Sequence, residues 1–253
     1  MNKLTKIYSH HSVLLVVALA VALIASSCAT GSPTSNTTAS ATHTTTKIQP
    51  TPKVSLFSGP ITYVALGASD AVGVGSNRPG SQGYVPLLAA KLPKGSHLVN
   101  LGISGIHVHA ALTEELPIAL STSPNLVTIW LAVNDFIGGV TYEDYIHDLD
   151  TLLNQLHSYT HATVVMANLP DLTRLPAFAN QTTAQKTETL REIQHWNTGI
   201  AALATRYGVT LVDLYSDGSQ LTAHPEYISG DGFHPSPAGY VQLANLFWEA
   251  IRG

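Results

Sequence analysis

The run Asn125-Leu-Val-Thr-Ile-Trp-Leu-Ala132 is apolar or β-branched from its second residue to its last. A strand with one face in water alternates apolar and polar residues, and this run does not. It therefore predicts a strand covered on both faces, the habit of parallel sheets flanked by helices. Shorter runs at residues 61–66, 97–100, 162–167 and 209–214 read as four more strands. Helical spacing fills the intervals at 83–92, 108–120, 142–156 and 183–207, and 237–251 closes the chain as a helix with proline at its start. Strand and helix in alternation predict an α/β domain: a five-stranded parallel sheet between two layers of helices. In such sheets chemistry collects in the loops at the carboxyl ends of the strands.

The domain is not expected to begin at Met1. Lys3 and Lys6 precede an apolar run at 13–25, and Ser26-Ser27-Cys28 follows. A basic start, an apolar centre and small residues before a cut site predict a secretory signal peptide over residues 1–27. An uncleaved anchor is the alternative, although the run is short for a membrane span. Cys28 is the only cysteine of the 253 residues, so no internal disulfide can form. It stands where bacterial lipoproteins carry the cysteine that takes the lipid, with Ala25 in place of their usual leucine. Lipidation at Cys28 is the expectation, against an ordinary leader in which this cysteine is incidental. Residues 28–55, rich in Thr, Ser, Ala and Pro, cannot bury enough apolar surface to offset ordering and read as a disordered tether. Residues 56–253 remain as one domain, expected to be monomeric and extracytoplasmic, either as a cell-surface lipoprotein or secreted. A net charge of −4, with charged residues only 11% of the chain and no basic patch, argues against nucleic acid as a partner.

Three loops carry groups with chemical potential. Ser69 follows the first strand between small neighbours, in Gly67-Ala-Ser-Asp-Ala71, where a hydroxyl can be held out on a tight turn. The same residues can equally form a turn that caps a helix. Asp231-Gly-Phe-His234-Pro, before the last helix, sets an acid three residues from an imidazole in a loop stiffened by Pro235 and Pro237. A serine base needs a carboxylate that orients its imidazole and stabilises the protonated form. Gly102 and Asn134 end the second and third strands, where a backbone N–H and a side-chain amide can face a carbonyl held at Ser69. Each of these is also an ordinary strand-end turn.

Taken together and in this order, the loops resemble those of the SGNH hydrolases, the GDSL-like lipases and acylhydrolases, over the whole domain. The resemblance implies a flavodoxin-like three-layer α/β/α sandwich with strand order 2-1-3-4-5. It further implies Ser69 as nucleophile, His234 as base, Asp231 as its partner, and the Ser69 N–H, Gly102 and Asn134 as oxyanion donors. The chain departs from the family's Gly-Asp-Ser with Gly67-Ala68-Ser69, and has an acid at Asp70 instead. Its Ala132-Val-Asn134-Asp135 replaces Gly-x-Asn-Asp. The implied activity is hydrolysis of a small-molecule, lipid or glycan ester through an acyl-enzyme, without cofactor or metal; the membrane is a partner only through the lipid anchor. A catalytically silent binding module on the same scaffold is the second reading. An α/β-hydrolase is a third, disfavoured because Ser69 follows the first strand and because acid and base share a loop. His107 and His109 lack further ligands for a metal. Trp130, Trp196 and Trp248 read as core, and residues 168–176 as a cleft wall on which Arg174 can meet an anion or simply face water.

Overall fold

The computed structural model describes residues 57–216 and 218–253; the expected leader, Cys28 and the expected tether lie outside the described residues. Five strands form one sheet: β1 (Thr62–Gly67), β2 (His97–Asn100), β3 (Leu126–Trp130), β4 (Thr163–Ala167) and β5 (Thr210–Val212). All pair in parallel, in the order β2-β1-β3-β4-β5. This is the expected order. Ten helices connect or follow them among the described residues: α1 (Ser69–Val72), α2 (Pro79–Gln82), α3 (Tyr84–Ala89), α4 (Val108–Glu114), α5 (Leu116–Ser121), α6 (Val133–Gly138), α7 (Tyr142–Tyr159), α8 (Thr183–Tyr207), α9 (Gly218–Ala223) and α10 (Pro237–Arg252).

The two-residue period of a strand divides the core. Val64 and Leu66 of β1 join Val127 and Ile129 of β3 in one cluster, beneath α4, α7 and α8. Tyr63 and Ala65 face the other way and meet Tyr84 and Leu88 of α3 and Tyr240 and Phe247 of α10. Every residue of β3 is buried, which is why the central strand shows no polar alternation. Thr128, its one polar member, shares a hydrogen bond of 2.8 Å with the Tyr63 hydroxyl. The aliphatic face is larger, and Tyr145 and Trp196 stack within it.

The helix expected over 108–120 is broken in two. Pro117 has no N–H to give to the preceding turn, and the chain restarts as α5 with this proline in its first turn. At the break Glu115 turns inward and is 1% exposed. One carboxyl oxygen accepts the Gly67 N–H at a long 3.4 Å, and the other has no hydrogen-bond partner. Burial pushes this carboxyl from 4.5 up to about 8, against the weaker pull of the Gly67 N–H. Between those two values the folded chain holds a proton that the unfolded chain has lost, so stability falls as pH rises through that window. Glu115→Gln keeps the shape of the neutral acid and removes the titration. It is expected to raise Tm at pH 8 by about 4–8 °C, on the order of 2 kcal/mol, and to change it little at pH 4.5. Equal Tm differences at both pH values would show that Glu115 is ionised in the fold.

Candidate active site

β1 runs through Gly67 and Ala68 into Ser69, the first residue of α1. The Ala68 carbonyl accepts the N–H groups of Ala71 and Val72, which closes the turn tightly. Ser69 is 8% exposed, and among the described residues its N–H has no protein acceptor. The histidine arrives from the far end of the chain. After β5 and α9, a loop is pinched shut by an antiparallel bridge between Ile228 and Pro235 and by the Ser229 N–H donating to the His234 carbonyl at 2.8 Å. Inside it, Asp231 Oδ1 accepts the Ser229 hydroxyl and the Phe233 and His234 N–H groups. Oδ2 lies 2.7 Å from His234 Nδ1, and His234 Nε2 lies 2.9 Å from Ser69 Oγ. With its proton on Nδ1, the imidazole donates to Asp231 and accepts from the Ser69 hydroxyl. Burial alone would raise the Asp231 carboxyl; the donors from His234, Phe233 and Ser229 outweigh it and hold the group well below the usual carboxylate range. Gly75 lets the two loops meet. Its φ is +96°, and a Cβ there would overlap the Pro235 carbonyl oxygen and crowd His234.

Asn134 stands in the first turn of α6, directly after β3, and lines a small pocket of about 10 Å³ together with Ser69, Ile106 and Ala132. Its amide donates one hydrogen to the Ile106 carbonyl at 3.0 Å, leaving the second free. Asp135 has a different task. It is 1% exposed and accepts the Val108 N–H, tying the start of α4 to this loop. Gly102 departs from the expectation. Its N–H is engaged by Asn100 Oδ1 at 3.1 Å, and a Cβ on it would strike Ala71, so it serves close packing of the β2 end against α1. The later glycine of the same loop keeps its N–H unengaged. Gly105, at φ +81°, occupies the turn closed by the Ile106 N–H on the Ile103 carbonyl, and its own N–H has no acceptor among the described residues. The sequence pointed to Gly102 alone; the hydrogen bond from its N–H to Asn100 is what brings Gly105 into consideration.

A larger cavity of about 100 Å³ adjoins the small pocket and shares Asp70, Trp130, Val133 and Phe233 with it. Trp130 is thus wall as well as core, whereas Trp196 is core and Trp248 is partly buried. Asp70 is pushed up to about 6 by burial, with His234 pulling it down and Asp231 adding to the rise. The 168–176 segment lends Leu172 and Leu175 to the cavity. Asn168, whose importance the sequence did not signal, anchors that wall: it is buried, donates to Asp213 and accepts the Leu214 N–H. Arg174 pairs with Asp171 at 2.8 Å. His107 faces Asp135 at 3.6 Å, and His109 pairs with Asp148.

Comparisons with known proteins bear on the family and the fold. The GDSL-like lipase/acylhydrolase family matches residues 65–242. Among solved structures, LAE5, an alpha/beta hydrolase enzyme from the metagenome of Lake Arreo in Spain, is 22% identical with a TM-score of 0.63, covering 78% of this chain and 97% of its own. A catalytic mutant of Axe2, an acetylxylan esterase from Geobacillus stearothermophilus, is 20% identical with a TM-score of 0.62 over 78% and 96% of the two chains. TesA is 24% identical with a TM-score of 0.59 over 75% and 97%. None of the curated protein sequences matches the chain. A family match spanning most of the chain, on the family's sheet, identifies the protein as a member of the GDSL-like lipase/acylhydrolase family and a hydrolase of the SGNH type.

Proposed function

We propose that the protein is a serine esterase that works through an acyl-enzyme on Ser69. The observation that carries this reading is the unbroken chain Ser69 Oγ, His234 and Asp231, with contacts of 2.9 and 2.7 Å. His234 Nε2 takes the hydroxyl proton as Ser69 Oγ attacks the ester carbonyl, and Asp231 stabilises the imidazolium that results. Negative charge on the carbonyl oxygen is met by the Ser69 N–H, the free amide hydrogen of Asn134 and, in place of Gly102, the Gly105 N–H. The C–O bond then breaks, the alcohol leaves with the proton from His234, and water resolves the acyl group by the reverse route. Labelling by a fluorophosphonate, with turnover of p-nitrophenyl esters, tests the reading directly. A folded protein inert to both is the binding module instead.

Asn134→Ala separates the oxyanion role from a structural one. A donor aimed at developing charge acts in the transition state more than in the bound ester. The expected result is a loss in kcat on the order of 10²–10³-fold with KM nearly unchanged. If Tm falls while turnover per folded molecule holds, Asn134 serves only to tie its loop to Ile106.

An acetyl ester is the first ester class to test, because the pocket beside Ser69 is small, about 10 Å³, and Axe2, an acetylxylan esterase, shares the fold. We also propose that the enzyme is extracytoplasmic and anchored through a lipid on Cys28, from the leader pattern ahead of that residue. A mature N-terminus found several residues beyond Cys28 would rule the anchor out.

A further inference from the structure

The acid that follows the nucleophile has no part in the proton relay, yet it lies at the junction of the two pockets. Resting on the esterase reading, we infer that the larger cavity receives the leaving alcohol of the ester and that Asp70 selects alcohols carrying a quaternary ammonium head. Three observations lead there. First, the space beside Ser69 and Asn134 is about 10 Å³, against about 100 Å³ in the cavity, so the bulk of a substrate belongs in the cavity and a short acyl group beside the nucleophile. Second, the cavity is walled by the loop that carries His234, through Tyr227, Ile228, Phe233 and Pro235. The histidine protonates the leaving oxygen, so that oxygen and whatever it bears must stand on this side. Third, the lining is apolar apart from Gln220, Gln242, Tyr227 and Asp70, and Asp70 is its one carboxylate.

A carboxylate in such a cavity makes an uncharged guest unfavourable. A guest without a hydrogen-bond donor strips water from the charge and returns nothing. A compact cation sheathed in methyl groups does the opposite. Its surface suits the aliphatic wall, its charge pairs with Asp70, and the aromatic residues Trp130, Tyr227 and Phe233 line the same cavity. No side-chain hydrogen bond or ion pair to Asp70 is made among the described residues; His234, when protonated, acts on its charge through space and not by contact.

The test uses acetylthiocholine and its uncharged isostere, 3,3-dimethylbutyl thioacetate, which differ in charge and hardly in shape. Wild type is expected to favour the cation about ten- to thirty-fold in kcat/KM. Asp70→Asn and Asp70→Ser are both made, so that the ratio is read on whichever folds; in either it should fall to about one. Turnover of p-nitrophenyl acetate on the same preparations reports the esterase itself. Equal kcat/KM for the pair in an enzyme that hydrolyses p-nitrophenyl acetate overturns the inference and leaves the esterase standing. A cation preference that survives in the Asp70 variants overturns the role of Asp70. Faster turnover of p-nitrophenyl octanoate than of the acetate assigns the cavity to the acyl half and overturns the inference as well. Inertness to p-nitrophenyl acetate and to fluorophosphonate removes the esterase reading, and this one with it.

Discussion

Ser69→Ala is expected to lower kcat on a p-nitrophenyl ester by about 10⁶-fold and to abolish fluorophosphonate labelling, with the fold intact. The magnitude follows serine hydrolases in which the nucleophile and its base act as a unit, so that losing the serine alone costs nearly the whole covalent route. The fold should survive because the substitution removes one oxygen from a turn closed by backbone bonds to the Ala68 carbonyl. Residual turnover over water would come from the oxyanion donors, which the substitution leaves in place. Peptide mapping of the labelled wild type supplies the control. Label on Ser104, exposed in the turn beside Gly105, instead of on Ser69 would overturn the assignment.

His234→Ala should cost about as much, again on the order of 10⁶-fold, because the proton on Ser69 then has no acceptor. Asp231→Ala is expected to be milder, about 10⁴-fold, since the imidazole remains and loses only its orientation and the partner of its charge. The structure adds a qualification to that ranking. Asp231 also gathers Ser229 and two backbone N–H groups, so its loss loosens the loop as well as the imidazole. Asp231→Asn, which retains one acceptor oxygen for those donors, should restore Tm without restoring kcat. Steady-state kinetics on the three variants, beside their melting curves, check the order. An Asp231→Ala enzyme weaker than His234→Ala would mean that the histidine acts without this carboxylate and that its loss is one of folding.

The sheet was legible because strands buried on both faces write their burial directly into composition: 125–132 contains β3 entire, and order and direction came out as expected. Boundaries erred where tertiary contacts compete with local pattern. Apolar spacing runs unbroken through 108–120, and nothing local says that Glu115 prefers the core to water; the bend at Pro117 takes it there. The short helices α1, α2, α6 and α9 have too few turns to show a period. Among the site residues, Ser69, Asn134, Asp231 and His234 come together because each side chain belongs to a single loop motif. Gly102 was named as a donor from its place at a strand end, and a backbone N–H leaves no trace in the sequence of the partner that engages it, here Asn100. Ser229 and Asn168 were overlooked for a related reason: their value lies in partners that only the closed loops supply.

The nucleophile and its base stand 165 residues apart in the chain. All five strands precede His234, the last of them ending at Val212. A chain made from its N-terminus therefore has all five strands, and Ser69 with them, before the residue that activates Ser69 exists. Domains tend to fold as units while synthesis proceeds at about 5–20 residues per second, so the serine stays chemically ordinary until the final helix docks. Reactivity toward fluorophosphonate then reports something besides catalysis. It is a clock for the completion of folding, silent in every nascent chain that stops short of the histidine loop.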